Sequence, residues 1–69
     1  MKLSARNQLK GRVVEIVKGA TTSHVPIEIA GEEVVTAAIT NEAVAELGLA
    51  VGTDAYAVVK ASDVMVGVD

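Results

Sequence analysis

The sequence predicts an all-β fold with one short helix, in which five strands form a Greek-key barrel. Short runs rich in β-branched residues recur along the chain and are separated by glycine, asparagine or aspartate. Between the third and fourth runs lies a segment with helix-capping residues at both of its ends. Three strands, a short helix and two further strands are the order expected of an OB-like barrel.

The first three predicted strands lie in the N-terminal part of the chain. Residues Arg12–Val17 form a β-branched run with glycines on either side. Residues His24–Ala30 alternate between apolar and polar side chains, as in a half-buried strand. Pro26 in this strand predicts a sheet edge or a bulge, because proline has no N–H to donate. A turn at Gly31–Glu32 then leads into the third strand, Glu33–Ile39, and the two strands form a hairpin.

The helix and two more strands complete the barrel. The helix is predicted over Thr40–Gly48, which begins with residues suited to the N-cap and ends with a glycine suited to the C-terminus. Strand Asp54–Lys60 is apolar on both faces, which indicates an interface or a closed barrel. The last strand is predicted at Val64–Val68. The first ten residues are polar and are predicted to form an arm.

Composition predicts that the chain associates with itself. Its 69 residues limit it to one domain, which we expect to span residues 1–69. It has no cysteine, no phenylalanine and no tryptophan, so neither disulfides nor large aromatic side chains support a core. Apolar residues nevertheless make up 51% of the chain. A monomer this small cannot easily bury so much apolar surface, and a homo-oligomer is therefore expected.

Charge and patterning exclude several classes of protein. The net charge is −3, and the chain has no basic run and no interleaved aromatic residues, which argues against nucleic acid as a partner. The N-terminus lacks the apolar region of a signal peptide, and no stretch is long enough to cross a membrane. We therefore expect a cytoplasmic protein without membrane or nucleic-acid partners.

The residues needed for catalysis are scarce. His24 is the only histidine, and no serine lies in a strand–turn–helix context that would make it a nucleophile. The ordinary interpretation of His24 is a surface or interface histidine. Metal ligation by a single histidine and scattered carboxylates is a weaker interpretation than a surface or interface histidine. The sequence therefore predicts neither an enzyme nor a metal site formed by protein ligands.

Hydrogen-bond donors suited to a tetrahedral oxyanion occur in three segments. Ser4–Asn7 offers a hydroxyl, a guanidinium and backbone amides, and Lys60–Ser62 offers an ammonium, amides and a hydroxyl. Thr40 lies at a predicted helix N-terminus, where anions are favoured. Each segment also has an ordinary interpretation: a surface charge on an arm, a solvated strand end, or a simple N-cap. If the segments converge, they would form a cage of donors that disfavours monohydrogen phosphate, whose O–H needs an acceptor.

The chain resembles the Mop domain, the molybdate-binding module of molbindins. The opening Ser4–Gly11 carries the most specific part of this resemblance. It continues through four further segments and covers essentially the whole chain: Lys18–Gly19, Ala38–Thr40, Glu46–Leu49 and Val58–Met65. Since no DNA-binding or nucleotide-binding region accompanies it, the chain is similar to a free-standing molbindin.

This resemblance implies an OB-like barrel that assembles as a homohexamer, built as a trimer of dimers. Such a protein would store or buffer molybdate or tungstate, bound between its subunits, and would need no organic cofactor. Carried over to this chain, one class of oxyanion site would draw on two subunits. One subunit would contribute the N-terminal residues Ser4, Ala5 and Arg6. The other would contribute residues at the helix start and the strand end: Thr40, Lys60, Ala61 and Ser62. The resemblance also implies a second class of site near threefold axes, and we assign it to a loop in which hydrogen-bond donors are concentrated: Lys18, Gly19, Ala20, Thr22 and His24.

Two details and one alternative accompany this resemblance. Many relatives have serine after the lysine where this chain has Ala61, so that a backbone amide contact would survive but a hydroxyl contact would not. Discrimination against sulfate would have to depend on cavity size, since both anions are tetrahedral and doubly charged. The main alternative is an OB-type protein-interaction module that binds no ligand.

Overall fold

The computed structural model describes residues 1–69 and consists mostly of strands. All five strands belong to one antiparallel sheet, and the single short helix precedes the last strand. The elements in chain order are β1 (Asn7–Val13), β2 (Val17–Lys18), β3 (Thr22–Ile29), β4 (Glu33–Thr40), α1 (Asn41–Glu46), β5 (Asp54–Val59) and a 3-10 turn at Ala61–Asp63. The predicted class, all-β with one short helix and an OB-like arrangement, is confirmed.

Strand β3 lies at the centre of the sheet. One of its edges pairs with β4 along its whole length, from Thr22 opposite Thr40 to Ile29 opposite Glu33. Its other edge pairs first with β2 and then with the end of β1. Strand β5 pairs with β1, so β4 and β5 each keep one edge unpaired. The barrel is therefore open between β4 and β5.

The core is small and aliphatic. Only five of the 69 residues are buried. Val13, Val25, Ile27 and Ala57 form one cluster, so the inner faces of β1, β3 and β5 meet. In β3 the predicted alternation holds, because Val25 and Ile27 are buried while His24 is exposed. Large apolar side chains stay exposed elsewhere, including Leu47, Tyr56 and the segment 64–68.

The region predicted as one strand, Arg12–Val17, is interrupted in the structure. Strand β1 ends at Val13 and pairing resumes at β2, leaving Val14–Ile16 outside the ladder. The three residues of this gap lie opposite only two residues of β3, Val25 and Pro26. The carbonyl oxygen of Pro26 accepts a hydrogen bond from the N–H of Val14, but Pro26 has no N–H of its own to donate to β1. The ladder is interrupted at this point, and the extra residue forms a bulge.

Three other boundaries differ from the prediction. Four strands precede the helix and one follows it, because the predicted strand Arg12–Val17 is divided between β1 and β2. Strand β1 also begins at Asn7, inside the segment predicted to be an arm. The helix is shorter than predicted: Thr40 is its N-cap and α1 ends at Glu46. The predicted strand Val64–Val68 is wrong for the single chain, since these residues follow the 3-10 turn without entering any ladder.

Helix α1 is held by its ends and by contacts with β4 and β3. The Oγ1 of Thr40 accepts the N–H of Ala43 at 3.1 Å, and Gly48 adopts a φ of 63° just beyond the C-terminus. No helix of the chain is both long and apolar enough to cross a membrane.

Asn41 connects the start of the helix to β3 and to the loop before it. Its Oδ1 accepts the hydroxyl of Ser23, which is only 1% exposed. Its Nδ2 lies 3.1 Å from the carbonyl oxygen of Gly19 and 3.3 Å from that of Ala20, and donates to both. Ser23 is the one buried polar residue, and this network satisfies it.

Replacement of Gly11 by alanine is expected to destabilise the fold. A Cβ at this position would lie 2.7 Å from the Cδ1 of Ile29 and closer still to the carbonyl oxygen of Glu28. Overpacking of this kind costs roughly 1–3 kcal/mol, which urea denaturation followed by circular dichroism would measure. Lys10→Ala is the control on the same strand, because Lys10 is exposed. Equal stability of the two variants would contradict the close approach of β1 to β3.

The Asn41→Ala variant is expected to lose about 1–3 kcal/mol of unfolding free energy, because the hydroxyl of Ser23 stays buried without its acceptor. Adding Ser23→Ala removes the unpaired group and should recover part of that loss. Thermal unfolding of the single and double variants at one protein concentration tests this coupling. Additive losses in the double variant would show that the pair does not interact as described.

Candidate functional site

The N-terminal segment is anchored where β1 meets the end of β5. Asn7 lies opposite Val59 in the ladder, and its Nδ2 donates to the Val59 carbonyl oxygen at 3.2 Å. The Nε2 of Gln8 donates to the carbonyl oxygen of Ala5 at 3.2 Å and holds the preceding turn of chain against the strand. Because Arg6 precedes Asn7 and Lys60 follows Val59, both cationic residues lie at this end of the β1–β5 ladder.

The 3-10 turn after β5 adds backbone donors to the same place. Its first hydrogen bond runs from the N–H of Asp63 to the carbonyl oxygen of Lys60, at 2.9 Å. The N–H groups of Ala61 and Ser62 precede this bond and have no acceptor within the turn. They therefore lie at the end of β5 together with the Lys60 ammonium and the Ser62 hydroxyl.

Six predicted residues belong to the two segments at this end of the β1–β5 ladder, and we call them the donor cluster: Ser4, Ala5, Arg6, Lys60, Ala61 and Ser62. All are exposed except Ala5, which is half-buried. Two cations, two hydroxyls and free amides can neutralise and orient an oxyanion. Asp63 adds one carboxylate to the turn. Neither of the two main cavities of the chain is lined by any residue of the cluster, so a single protomer leaves it open to solvent.

Thr40 does not join this cluster within one protomer. It lies at the end of β4, opposite Thr22 at the start of β3. The antiparallel register of β3 with β1 puts that end of the sheet beyond Val13, whereas the cluster lies beyond Asn7. Thr40 acts as the N-cap of a helix of only six residues, and its hydroxyl proton remains able to donate.

The second predicted set of residues lies at the turn between β2 and β3. Its backbone is already used: the N–H of Gly19 donates to the Thr22 carbonyl oxygen, and the carbonyl oxygens of Gly19 and Ala20 accept from Asn41. The side chains of Lys18, Thr22 and His24 are exposed.

Lys18 also lines a depression of about 370 Å³ against α1, beside Ser23 and Asn41. Sequence reasoning missed the last two residues as part of this region. Asn41 carried a capping signal, but no pattern pointed to its contact with Ser23.

The neighbouring Ser23 and His24 cannot act together as nucleophile and base. Successive residues of a strand point to opposite faces, and here Ser23 is buried while His24 is exposed. The Ser23 hydroxyl donates to Asn41 rather than to a base. No group of three or more His, Cys, Asp or Glu side chains is placed to hold a metal ion.

An apolar groove of about 460 Å³ lies between β4 and β5, at the open side of the barrel. Eleven of its twelve lining residues are hydrophobic, and they come from the two strands, from the inner face of β3 and from the chain after α1. With so few polar groups, this groove is not suited to an oxyanion.

Residues 3–66 match the TOBE domain family. A probable molybdenum-pterin-binding protein of Haemophilus influenzae is 52% identical over 69 residues, which are the full length of both chains. The structure of MopII from Clostridium pasteurianum in an apo form superimposes with a TM-score of 0.90 at 48% identity, covering 97% of this chain and 100% of that one.

A third relative was solved with its ligand. The cytoplasmic molybdate-binding protein ModG, with molybdate bound, has a TM-score of 0.95 and 48% identity. The match covers all of this chain and 49% of the ModG chain. These matches confirm the resemblance on which the sequence interpretation rests. The chain belongs to the TOBE domain family and, within it, to the free-standing molybdenum-pterin-binding (Mop) proteins, the molbindins.

Proposed function

We propose that this chain binds molybdate, or alternatively tungstate, at sites between the subunits of a homo-oligomer. The observation that supports the proposal is the Asn7–Val59 pair at the end of the β1–β5 ladder, since Arg6 and Lys60 of the donor cluster directly flank it in sequence. ModG, which matches the whole chain, is a molybdate-binding protein solved with molybdate bound. The site residues that we propose are Ser4, Ala5, Arg6, Thr40, Lys60, Ala61 and Ser62.

The chemistry of the cluster suits a fully deprotonated oxyanion. Arg6 can make a forked contact to two oxygens, and Lys60 contributes a compact second charge. The amides of Ala61 and Ser62 add neutral donors that need no side chain, so alanine at position 61 is compatible with binding. A net charge of −3 does not oppose this, because aimed donors act locally while the overall charge affects long-range steering.

The placement of the site between subunits is supported by the geometry of one protomer. The donor cluster is open to solvent, and Thr40 lies at the opposite end of the sheet. A site that includes both therefore draws on two protomers. Because Arg6 and Lys60 lie at the same end of the β1–β5 ladder in one chain, the division that fits best puts the whole cluster on one subunit and Thr40 on the other. This differs from the division expected from the resemblance, which grouped Lys60 with Thr40.

A second class of oxyanion site is proposed at the β2–β3 turn: Lys18, Gly19, Ala20, Thr22 and His24. It is supported by the exposed donors of Lys18, Thr22 and His24. Since the Gly19 amide already donates to Thr22, side chains rather than that amide would contact the anion there.

The biological role proposed is storage and buffering of the anion in the cytoplasm, by a hexamer built as a trimer of dimers, without catalysis. The relatives are named as binding proteins, and ModG is described as cytoplasmic. No organic cofactor, nucleic acid or membrane enters this proposal, and residues 1–69 are proposed as a single Mop domain.

Isothermal titration with molybdate, tungstate, sulfate and phosphate tests the function. Molybdate is expected to bind with a dissociation constant at or below about 10 μM, a strength that such titration resolves. Monohydrogen phosphate should bind far more weakly, because a cage of donors offers its O–H no partner. Absence of heat with every oxyanion would leave the ligand-free interaction module as the better interpretation.

The Arg6→Ala variant tests the donor cluster. Loss of a charged hydrogen-bonding group costs about 1.5–3 kcal/mol, so the dissociation constant for molybdate should rise about 10- to 100-fold. Arg12→Ala removes the same charge from a position in β1 opposite Asp54, away from the cluster, and is the matched control. Equal weakening by both variants would point to a general charge effect and against this site.

A further inference from the structure

A side-chain hydrogen bond from Gln8 holds the first part of the donor cluster. Residues 1–6 lie outside every strand and helix, and none of the backbone hydrogen bonds of the turns and loops involves them. The Nε2 of Gln8 reaches back over three residues and donates to the carbonyl oxygen of Ala5 at 3.2 Å. Because a peptide group is planar, holding this oxygen also fixes the direction of the Arg6 N–H, which belongs to the same group.

Asn7 holds the second part of the cluster in the same way. It forms the last pair of the β1–β5 ladder with Val59, and its Nδ2 donates to the Val59 carbonyl oxygen at 3.2 Å. That oxygen belongs to the same planar peptide group as the N–H of Lys60. Asn7 is half-buried and Gln8 is exposed, as expected of successive strand residues, which point to opposite faces. Two adjacent side chains thus hold the peptide groups that precede Arg6 and Lys60.

We propose that Asn7 and Gln8 are positioning residues of the oxyanion site, which contact no ligand but set its affinity by fixing Arg6 and Lys60 before the anion arrives. This inference rests on the proposed function. A segment that is free in solution loses conformational freedom when it closes on an anion, and that loss weakens binding. A segment that hydrogen bonds already hold loses less, and its donors stay directed at one place.

A primary amide is well suited to this positioning. Its N–H groups donate to a carbonyl oxygen, and the side chain adds no charge beside the anion. A carboxylate at either position would repel both the carbonyl oxygen and the anion, whereas a further cation would add an attraction without fixing a direction. The amides of Asn7 and Gln8 therefore hold the segments and leave the charge of the site to Arg6 and Lys60.

Isothermal titration with molybdate tests two variants that keep the size of the side chain and remove its N–H donors, Asn7→Leu and Gln8→Met. Each should raise the dissociation constant about 2- to 10-fold, which is the effect of one neutral hydrogen bond. A change in only one variant would overturn the role for the other residue.

Val13→Ala is the control for stability, because it opens a cavity in the core at the far end of β1. It should lower the thermal unfolding temperature at least as much as the two amide variants, yet leave the dissociation constant for molybdate within about twofold of the wild type. Equal weakening of binding by Val13→Ala would show that the amides act through general stability, and would overturn the proposal.

Double-mutant cycles separate positioning from an independent effect on binding. If Gln8 acts through Arg6, Gln8→Met should lose most of its effect on the dissociation constant in a chain that already carries Arg6→Ala. Asn7→Leu should likewise lose most of its effect in a chain that carries Lys60→Ala. Losses that simply multiply in both double variants would contradict action through the two cations.

The same titrations distinguish this inference from the proposed function. If the wild type binds no molybdate, the proposed function is rejected and the positioning role with it. If the wild type binds molybdate and neither amide variant weakens that binding, the positioning role is rejected and the proposed function stands.

Discussion

Strand β1 is the element on which the rest of the structure depends, because it connects β5 to the β3–β4 hairpin: Asn7–Arg12 pair with β5, and Gly11–Val13 pair with β3. Near Gly11 the backbones of β3 and β5 lie on either side of it at the same time. The close approach at Gly11 lets the sheet curl, and the curl brings Ala57 of β5 onto Val25 and Ile27 of β3. The same pairing with β5 places the N-terminal segment beside the chain end of β5, and so it creates the donor cluster.

A core of four aliphatic residues leaves much of the apolar surface uncovered. In many proteins, further strands or helices cover such strand edges, whereas the outer edges of β4 and β5 stay unpaired here. The free edges, the apolar groove and the exposed residues 64–68 all accompany this small core. The proposed assembly of several copies would cover part of this surface and would enclose donors that a single copy exposes to water. Binding of the anion and association of subunits are therefore expected to be linked thermodynamically.

Much of the candidate site could be predicted from sequence because its donors belong to short contiguous segments. Arg6 and Lys60 were identified by their side-chain chemistry and by the resemblance to molbindins. Their placement at the same end of the β1–β5 ladder could not be predicted, since it depends on the register of these two strands. The roles of Asn7 and Gln8 as anchors of the segment also follow from that register. The contact between Asn41 and Ser23 joins residues 18 positions apart, and no local pattern reveals it.

By itself, the sequence determined the fold class, the alternation in β3 and the capped helix, and it led to the expectation of self-association. These features follow from local periodicity, from capping chemistry and from the balance of apolar residues against chain length. Only the tertiary structure decided where β1 begins, how Pro26 interrupts its pairing with β3, and that residues 64–68 stay outside the sheet of their own chain. The physical reason is that pairing partners and register depend on contacts between residues far apart in sequence, which local pattern does not specify.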